Sequence, residues 1–249
     1  IMETIYEQKS VVVGELAEKF GKSASSIRLD LAELESRGLI SRTHGGAILA
    51  EESAQDLVLN KKYLQYRLET YKEEKERIGR IAADMIQDGD SVMIDGGTTN
   101  FYVAKNLHKK RGLTIITTSV FLFPVLWEIP DATIYLAGGL LHREFEEMYG
   151  DIAQESILRF KPDHTIIGID GLSIEQGLTS TEPIMAIAKR QMISVSKDII
   201  VVSDSSKFGK VCLLSVSSLK DVDKIVTDDK VSKEYVERIE KVGPKVYLA

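Results

Sequence analysis

Five short, β-branched runs of this 249-residue chain are each followed at once by small, hydroxyl-bearing or charged residues. They are Asp95-Gly96-Gly97-Thr98-Thr99, Thr118-Ser119, Gly138-Gly139, Asp170-Gly171 and Asp204-Ser205-Ser206-Lys207. A Gly-Gly-Thr-Thr turn entering a helix near Asn100 lets backbone N–H groups and two hydroxyls approach an anion at the helix N-terminus. Lys207 can add a point charge to the same group. Turns between strands and helices also use Gly, Ser, Thr and Asp for geometry alone; the convergence of five such turns, with a hydroxyl pair and a lysine, points to a ligand. A second set lies near the start of the chain, where Ser23, Ser25, Ser26 and Arg28 fall in one run, flanked by Lys22, Arg42 and His44. Short hydroxyls and one fork-shaped donor suit phosphates and guanine edges.

The elements that must carry the second set read from Val11 to Leu49. Leu16, Ala17 and Phe20 share one face of a short helix that Gly21 stops in the left-handed conformation. Ser23 sits where an N-cap accepts backbone N–H bonds, and Ile27, Leu31 and Leu34 recur at the spacing of one helical face. Ser25, Ser26, Arg28, Leu29 and Glu33 lie on the opposite face, as a recognition helix requires. Gly38 ends that helix. Leu39–His44 and Ala47–Leu49 read as strands joined by Gly45-Gly46, a dipeptide that accepts the positive φ of a two-residue hairpin turn. The pattern is a winged helix-turn-helix, although two short helices and a hairpin also occur in proteins with no such role.

From Ala50 the apolar rhythm lapses, and residues 51–72 read as a linker in which Arg67, and Lys75 just beyond it, are solvated charges without a site role. Ile78, Ala82 and Met85 or Ile86 then mark a helix ending before Gly89. Apolar runs at Ser91–Asp95, Leu113–Thr117, Thr133–Ala137, His164–Ile169, Ile199–Ser203, Lys224–Thr227 and Lys245–Leu248 alternate with helix-length segments such as Glu182–Ser194 and Ser232–Lys241. The expected fold is α/β, with a largely parallel sheet whose carboxyl edge forms a ligand crevice.

The chain carries a net charge of −6, and residues 1–50 hold three Lys and three Arg against seven acidic residues, a net of −1. That excludes a general nucleic-acid coat, which works by neutralising phosphates. The distribution allows a specific reader, since Lys22, Arg28, Arg37, Arg42 and His44 cluster about the recognition helix and wing while Glu15, Glu18 and Glu35 can face elsewhere. A reader so weakly charged needs a partner on the other half-site, so a homo-oligomer, dimer or tetramer, is expected. The lone Cys212, in the apolar run VCLL, reads as a core residue and excludes an internal disulfide framework. The four His show no ligand spacing, so no metal is expected, and no cofactor is read. No membrane span or signal peptide is visible, and a cytoplasmic location follows.

The stretch SASSIRLDLAELESRGLISRTHGGA resembles the signature of DeoR-type bacterial repressors, in which a Ser-x-x-Thr-Ile-Arg-Arg-Asp-Leu helix precedes an Arg-x-His-Gly-Gly-Ala wing. Here Leu29 replaces the second Arg and Ser26 the Thr, so the family's Arg role passes to Arg28 alone, and Leu29 implies an altered site preference, for instance a thymine methyl. The motifs IDGGTTN, TTS, LAGGLLHRE, YGDIA, GIDGL with GLTSTE, and VVSDSSKFG resemble the family's C-terminal sensor domain, which is similar to ribose-5-phosphate isomerase and CoA-transferase folds. The resemblance implies a DNA-binding repressor of sugar or carbohydrate metabolism genes, controlled by a phosphorylated sugar or related metabolite. The phosphate would meet Gly97, Thr98, Thr99 and Lys207, with Asp95, Ser119, Gly139, Arg143, Gly150, Glu182 and Asp204 serving sugar hydroxyls or loop geometry. Glu182 stands where the family often has Asp. Residues 1–50 are then the DNA-binding domain, 51–72 the linker and 73–249 the effector-sensing and oligomerisation domain. The chain begins Ile1-Met2, whereas the family's first helix starts several residues earlier, so an N-terminal truncation is expected. The rival reading is a sugar-phosphate isomerase-like enzyme using Asp95, Asp170, Glu182 and Lys207 as acid-base groups; a third is an oligomerisation protein with a vestigial pocket.

Overall fold

A computed structural model describes residues 1–50 and 56–249, and the chain divides into two units, Ile1–Arg67 and Leu68–Ala249. The first holds α1 (Met2–Gln8), β1 (Ser10–Val12), α2 (Val13–Phe20), α3 (Ala24–Ser36), β2 (Ile40–Arg42), β3 (Gly46–Leu49) and the start of α4 (Asp56–Glu69). Gly21, at φ 61°, closes α2, and Ser23 Oγ caps α3 by accepting from Ser26 N–H at 3.2 Å. Ile27, Leu31 and Leu34 are buried against Leu16, Met2 and Ile5, each contributing about 2 kcal/mol of burial. Phe20, expected on the buried face of α2, is instead 40% exposed, because it is the last residue of the helix and no further turn covers it.

The wing differs from its two-strand reading. Its sheet has three strands in the order β1-β3-β2, because Ser10–Val12 pairs with Gly46–Ile48. The reversal spans Thr43 to Gly45, closed by Thr43 N–H on Gly46 O at 3.0 Å, and neither Gly45 nor Gly46 has a positive φ. Gly46 is required by close approach instead: a Cβ there would stand 1.9 Å from the Val11 carbonyl oxygen. Of the stretch read as a linker, residues 51–55 lie outside the described residues, while 56–69 are helical. Tyr63 of α4 is buried and stacks on Tyr6 at 3.8 Å.

The second unit continues with α5 (Lys72–Asp84), β4 (Ser91–Ile94), α6 (Thr98–Asn106), β5 (Thr114–Thr117), α7 (Phe123–Leu126), β6 (Thr133–Leu136), β7 (Leu140–His142), β8 (Glu147–Tyr149) and α8 (Asp151–Leu158). Then come β9 (His164–Gly168), β10 (Gly171–Ser173), β11 (Gly177–Ser180), α9 (Pro183–Val195), β12 (Ile199–Val202), β13 (Leu214–Ser217), β14 (Lys224–Thr227), α10 (Lys233–Glu240) and β15 (Lys245–Leu248). The seven runs read as strands form one seven-stranded sheet, β15-β14-β12-β9-β4-β5-β6, parallel at every pairing. Side chains alternate between its faces. Val92 and Ile94 pack with Ile78, Ala82 and Val103 of α5 and α6, whereas Met93 packs with Met192 of α9 and Ile239 of α10. Burial on both faces is why these strands read as continuous apolar runs.

Two smaller sheets were not legible as strands. The β7–β8 hairpin has three-residue strands too short for a period, and the antiparallel β10-β11-β13 sheet is built from three- or four-residue strands rich in glycine and hydroxyls. The run VCLL is not core: Val211 and Leu213 are 58% and 86% exposed, and Cys212 is half-buried with its N–H on Thr179 Oγ1 at 3.0 Å. Among the described residues no helix is long and apolar enough to cross a membrane.

At the amino edge of the sheet, Asp163 ties the start of β4 to the loop before β9. Its Oδ2 accepts from Ser91 Oγ at 2.6 Å and Ser91 N–H at 3.1 Å, and its Oδ1 from Lys197 at 3.1 Å. These bonds, Ser91's first, lower its pKa from 3.8 to about 2. A depressed folded-state value means stability present above pH 4 and lost as pH falls through 2. With the side chain 43% exposed, solvent screening reduces the contribution to about 1 kcal/mol. Urea unfolding of Asp163→Asn is therefore expected to show that loss at pH 6 and little difference from the native chain at pH 2; an unchanged midpoint at pH 6 would refute the assignment.

Candidate functional site

In the first unit, the N-cap at Ser23 fixes the start of α3, so that burial of Ile27 and Leu31 turns the opposite face outward. Ser25, Arg28 and Leu29 are exposed, Leu29 by 73%, and Ser26 is half-buried. Among the described residues Arg28 makes no ion pair or hydrogen bond, leaving its five donors available. Lys22 is paired with Asp30 at 3.1 Å. Glu35, expected to face elsewhere, grips the wing: Oε1 accepts from Arg42 N–H at 2.9 Å and Oε2 from Arg42 Nε at 2.7 Å. These bonds, the backbone one first, hold the Glu35 carboxyl below its usual range and orient the guanidinium. His44 lies exposed in the turn of the wing. Lys22, Ser25, Arg28, Leu29, Arg42 and His44 thus come from one helix, the turn before it and one hairpin of a single unit.

In the second unit, chain direction across the sheet reverses between β4 and β9. The chain leaves β4 through α6 for β5 on one side, and leaves β9 for β12 on the other; this is the switch point at which open α/β sheets bind ligands. Asp95, 1% exposed, follows β4 there. Its Oδ2 accepts from Gly168 N–H of β9 at 3.2 Å and forms an ion pair with Lys189 of α9. Burial alone would push the Lys189 ammonium down; the carboxylates of Asp95, Glu147 and Asp170 outweigh it and hold its pKa above the usual lysine value. Asp170 Oδ2 in turn accepts from Ser180 Oγ at 2.7 Å and Thr181 N–H at 3.1 Å.

Glu147 reaches this cluster from the β7–β8 hairpin, which docks on the turn after β5 through Val120 and Phe121 N–H on Glu146 O and Met148 N–H on Thr118 O, at 2.8 to 3.2 Å. A Cβ on Gly96 would lie 1.5 Å from Glu147 Oε1 and 3.2 Å from Ser119 Oγ. Glycine is needed here for space. Ser119 Oγ, Thr118 Oγ1 and Asn100 Oδ1 are buried without a hydrogen-bond partner among the described residues, an arrangement native interiors seldom leave unexplained. Gly97 caps α6 at φ 100°, and buried Thr98 accepts from Lys75 Nζ of α5 at 3.1 Å.

The structure brings Asp95, Gly97, Thr98 and Ser119 of the sequence-predicted set around one turn, with half-buried Thr99 in the same helical turn. Others stand apart. Gly139 lets the chain pass Tyr149, whose carbonyl oxygen would be 2.4 Å from a Cβ, and Gly150 caps α8 at φ 89°. Arg143 is exposed at the hairpin turn, and no bond among the described residues draws it to the crevice. Glu182 is the N-cap residue of α9, without a side-chain cap bond. Asp204 is engaged by Ser206 N–H at 3.1 Å and by Ser206 Oγ. Lys207, buried, lies in the turn after β12, two strands from β4 in the sheet order; the lysine bonded to Thr98 at the α6 terminus is Lys75. Sequence reasoning missed Lys189, Glu147 and the role of Lys75. The detectable signal for Lys189 was its place at i+3 from Ala186 and i−3 from Met192, on the apolar face of a helix following a strand-end turn, while the adjacent Arg190 falls off that face.

Lys189→Met would leave the Asp95 carboxylate buried and uncompensated, a change worth about 3–5 kcal/mol. A matching drop in chemical stability is expected, with Asp95→Asn/Lys189→Met losing less than the sum of the singles. Native stability in Lys189→Met would show that the pair does not hold the crevice together.

Comparison with known proteins places both units. Residues 1–53 match the family model of the DeoR-like helix-turn-helix domain, and residues 70–229 that of the DeoR C-terminal sensor domain. The HTH-type transcriptional repressor GlcR of Bacillus subtilis is 32% identical over 100% of this chain and 93% of its own length. The glycerol-3-phosphate regulon repressor of Escherichia coli is 35% identical over 92% of this chain and 88% of its own. Among solved structures, ribose 5-phosphate isomerase from Plasmodium falciparum aligns with 54% of this chain and 52% of that one at 20% identity and a TM-score of 0.39. The chain belongs to the DeoR family of DNA-binding transcriptional repressors and is a regulator rather than an enzyme.

Proposed function

We propose that this chain represses genes of sugar or carbohydrate metabolism in the cytoplasm, and that a phosphorylated sugar or related metabolite bound in the switch-point crevice controls its hold on the operator. The observation that carries the effector reading is the set of buried, unpartnered hydroxyls beside the α6 terminus, with Thr98 and Lys75 at one end and the Asp95, Glu147 and Asp170 carboxylates around Lys189 at the other. The first end suits a phosphate and the second the hydroxyls of a polyol. A relative named for the glycerol-3-phosphate regulon supports that class of compound.

Residues 1–50 read DNA, with Ser25, Arg28 and Leu29 at the major groove and Arg42 and His44 of the wing at the backbone; Lys22, Ser23 and Ser26 set the start of the helix. Residues 73–249 sense the effector and assemble, joined to the reader by 51–72. A homo-oligomer, dimer or tetramer, supplies the second half-site. The edge strand β6 and the neighbouring hairpin leave Tyr135, Leu136, Leu140 and Leu141 between 36% and 64% exposed, apolar surface suited to a second copy. The effector acts by binding one quaternary arrangement better than the other.

Fluorescence anisotropy on DNA from upstream of the chain's own gene tests the reading. Release by one phosphorylated sugar, with its free form inert, is expected, and unchanged operator affinity at saturation would sink the coupling. Arg28→Ala should bind operator about 5- to 150-fold more weakly, the 1–3 kcal/mol of one good base contact, with effector binding intact. Equal loss of both would place Arg28 in folding rather than in reading.

A further inference from the structure

Lys75 stands in a charged run, Lys72 to Arg77, yet it is only 4% exposed. What buries it is the contact of α5 with α6. Gly79 lets the two helix backbones touch, since a Cβ there would come 2.5 Å from the carbonyl carbon of Tyr102. Lys75 precedes Gly79 by one helical turn, and Thr98 precedes Tyr102 by one turn, so the same packing sets Lys75 against Thr98. The Nζ to Oγ1 distance is 3.1 Å, and Thr98 is itself 3% exposed.

An ammonium can only donate, whereas a hydroxyl both donates and accepts. When Lys75 donates to Thr98 Oγ1, the hydroxyl proton must point elsewhere. Thr98 is the first residue of α6, at the positive end of the helix. A second observation marks the turn as a ligand site: Ser119 Oγ, fully buried and without a hydrogen-bond partner, lies 3.2 Å from the place a Gly96 Cβ would occupy.

We propose that Lys75 is a positioning residue of the effector site, directing the proton of the Thr98 hydroxyl toward the phosphoryl group of the ligand. The proposal rests on the reading of this crevice as a phosphate-bearing effector's site. Lys75 acts through Thr98, so removing either partner forfeits the same contact.

The test is a double-mutant cycle on the full chain with inorganic phosphate as the probe, followed by calorimetric titration. Lys75→Met and Thr98→Val are each expected to weaken phosphate binding about tenfold, as one lost charge-assisted hydrogen bond does. The double variant should be no more than about twofold weaker than either single, and Thr98→Ser should bind like the native chain. Additive losses, near a hundredfold, would mean that Lys75 meets the anion on its own and would overturn the proposal. So would native affinity in Lys75→Met accompanied only by a lower Tm, the mark of a helix clamp. Should Lys75→Met fail to fold, Lys75→Gln, whose amide still donates, replaces it: affinity within about threefold of native supports the proposal and a tenfold loss overturns it. Failure of the native chain to bind either phosphate or any phosphorylated sugar would remove the effector reading itself, an outcome separate from the cycle.

Discussion

The second unit depends on a charge that has been taken out of water. Asp95 lies at the point where the chain's direction across the sheet reverses, bonded to Gly168 N–H of the neighbouring strand and paired with Lys189 of α9. Each member of the pair would be costly to bury alone, and removing either leaves the other stranded. The pair therefore locks together the carboxyl ends of β4 and β9 and the middle of α9. The bonds from Ser180 and Thr181 that hold Asp170, and the docking of Glu147 over Gly96, complete a ring of carboxylates around one ammonium.

That ring leaves the floor with more negative than positive charge, which governs how a phosphorylated ligand would lie. On the proposed reading its anionic end is received at the α6 terminus, where backbone N–H groups, Thr98 and Lys75 gather, and its neutral hydroxyls face the carboxylates. A free carboxylate ligand at the floor would meet like charge. The two ends of the proposed site are polar in different ways, and on that reading the ligand's orientation follows from the difference.

Much of this was legible in the sequence because the physics is local. The seven sheet strands are short β-branched runs buried on both faces, and Gly21 and Ser23 act through their own backbone neighbourhoods. What was not legible depends on partners far along the chain. Lys75 and Lys189 look like ordinary helix cations until the helices opposite them are known. Gly46 looks like a turn glycine, and only the approach of Val11 reveals a packing one. Glu147 sits among charged residues of a hairpin whose three-residue strands carry no periodicity. Among the candidate site residues, Asp95, Thr98 and Ser119 were read from strand-end chemistry and meet around Gly96, whereas Arg143 and Lys207 were grouped with them by residue type.

The central strand pairing also sets an order in time. Asp95 and Gly168 are 73 residues apart, so β4 has no inner neighbour until β9 has been made, an interval of about 4–15 s at 5–20 residues per second. The first unit closes its core within its own first 67 residues and depends on no such wait. During synthesis the first unit can be folded while the second is still an open chain in which the strongly apolar β4 lacks one of its two neighbours, which makes the growing second unit the segment in need of protection.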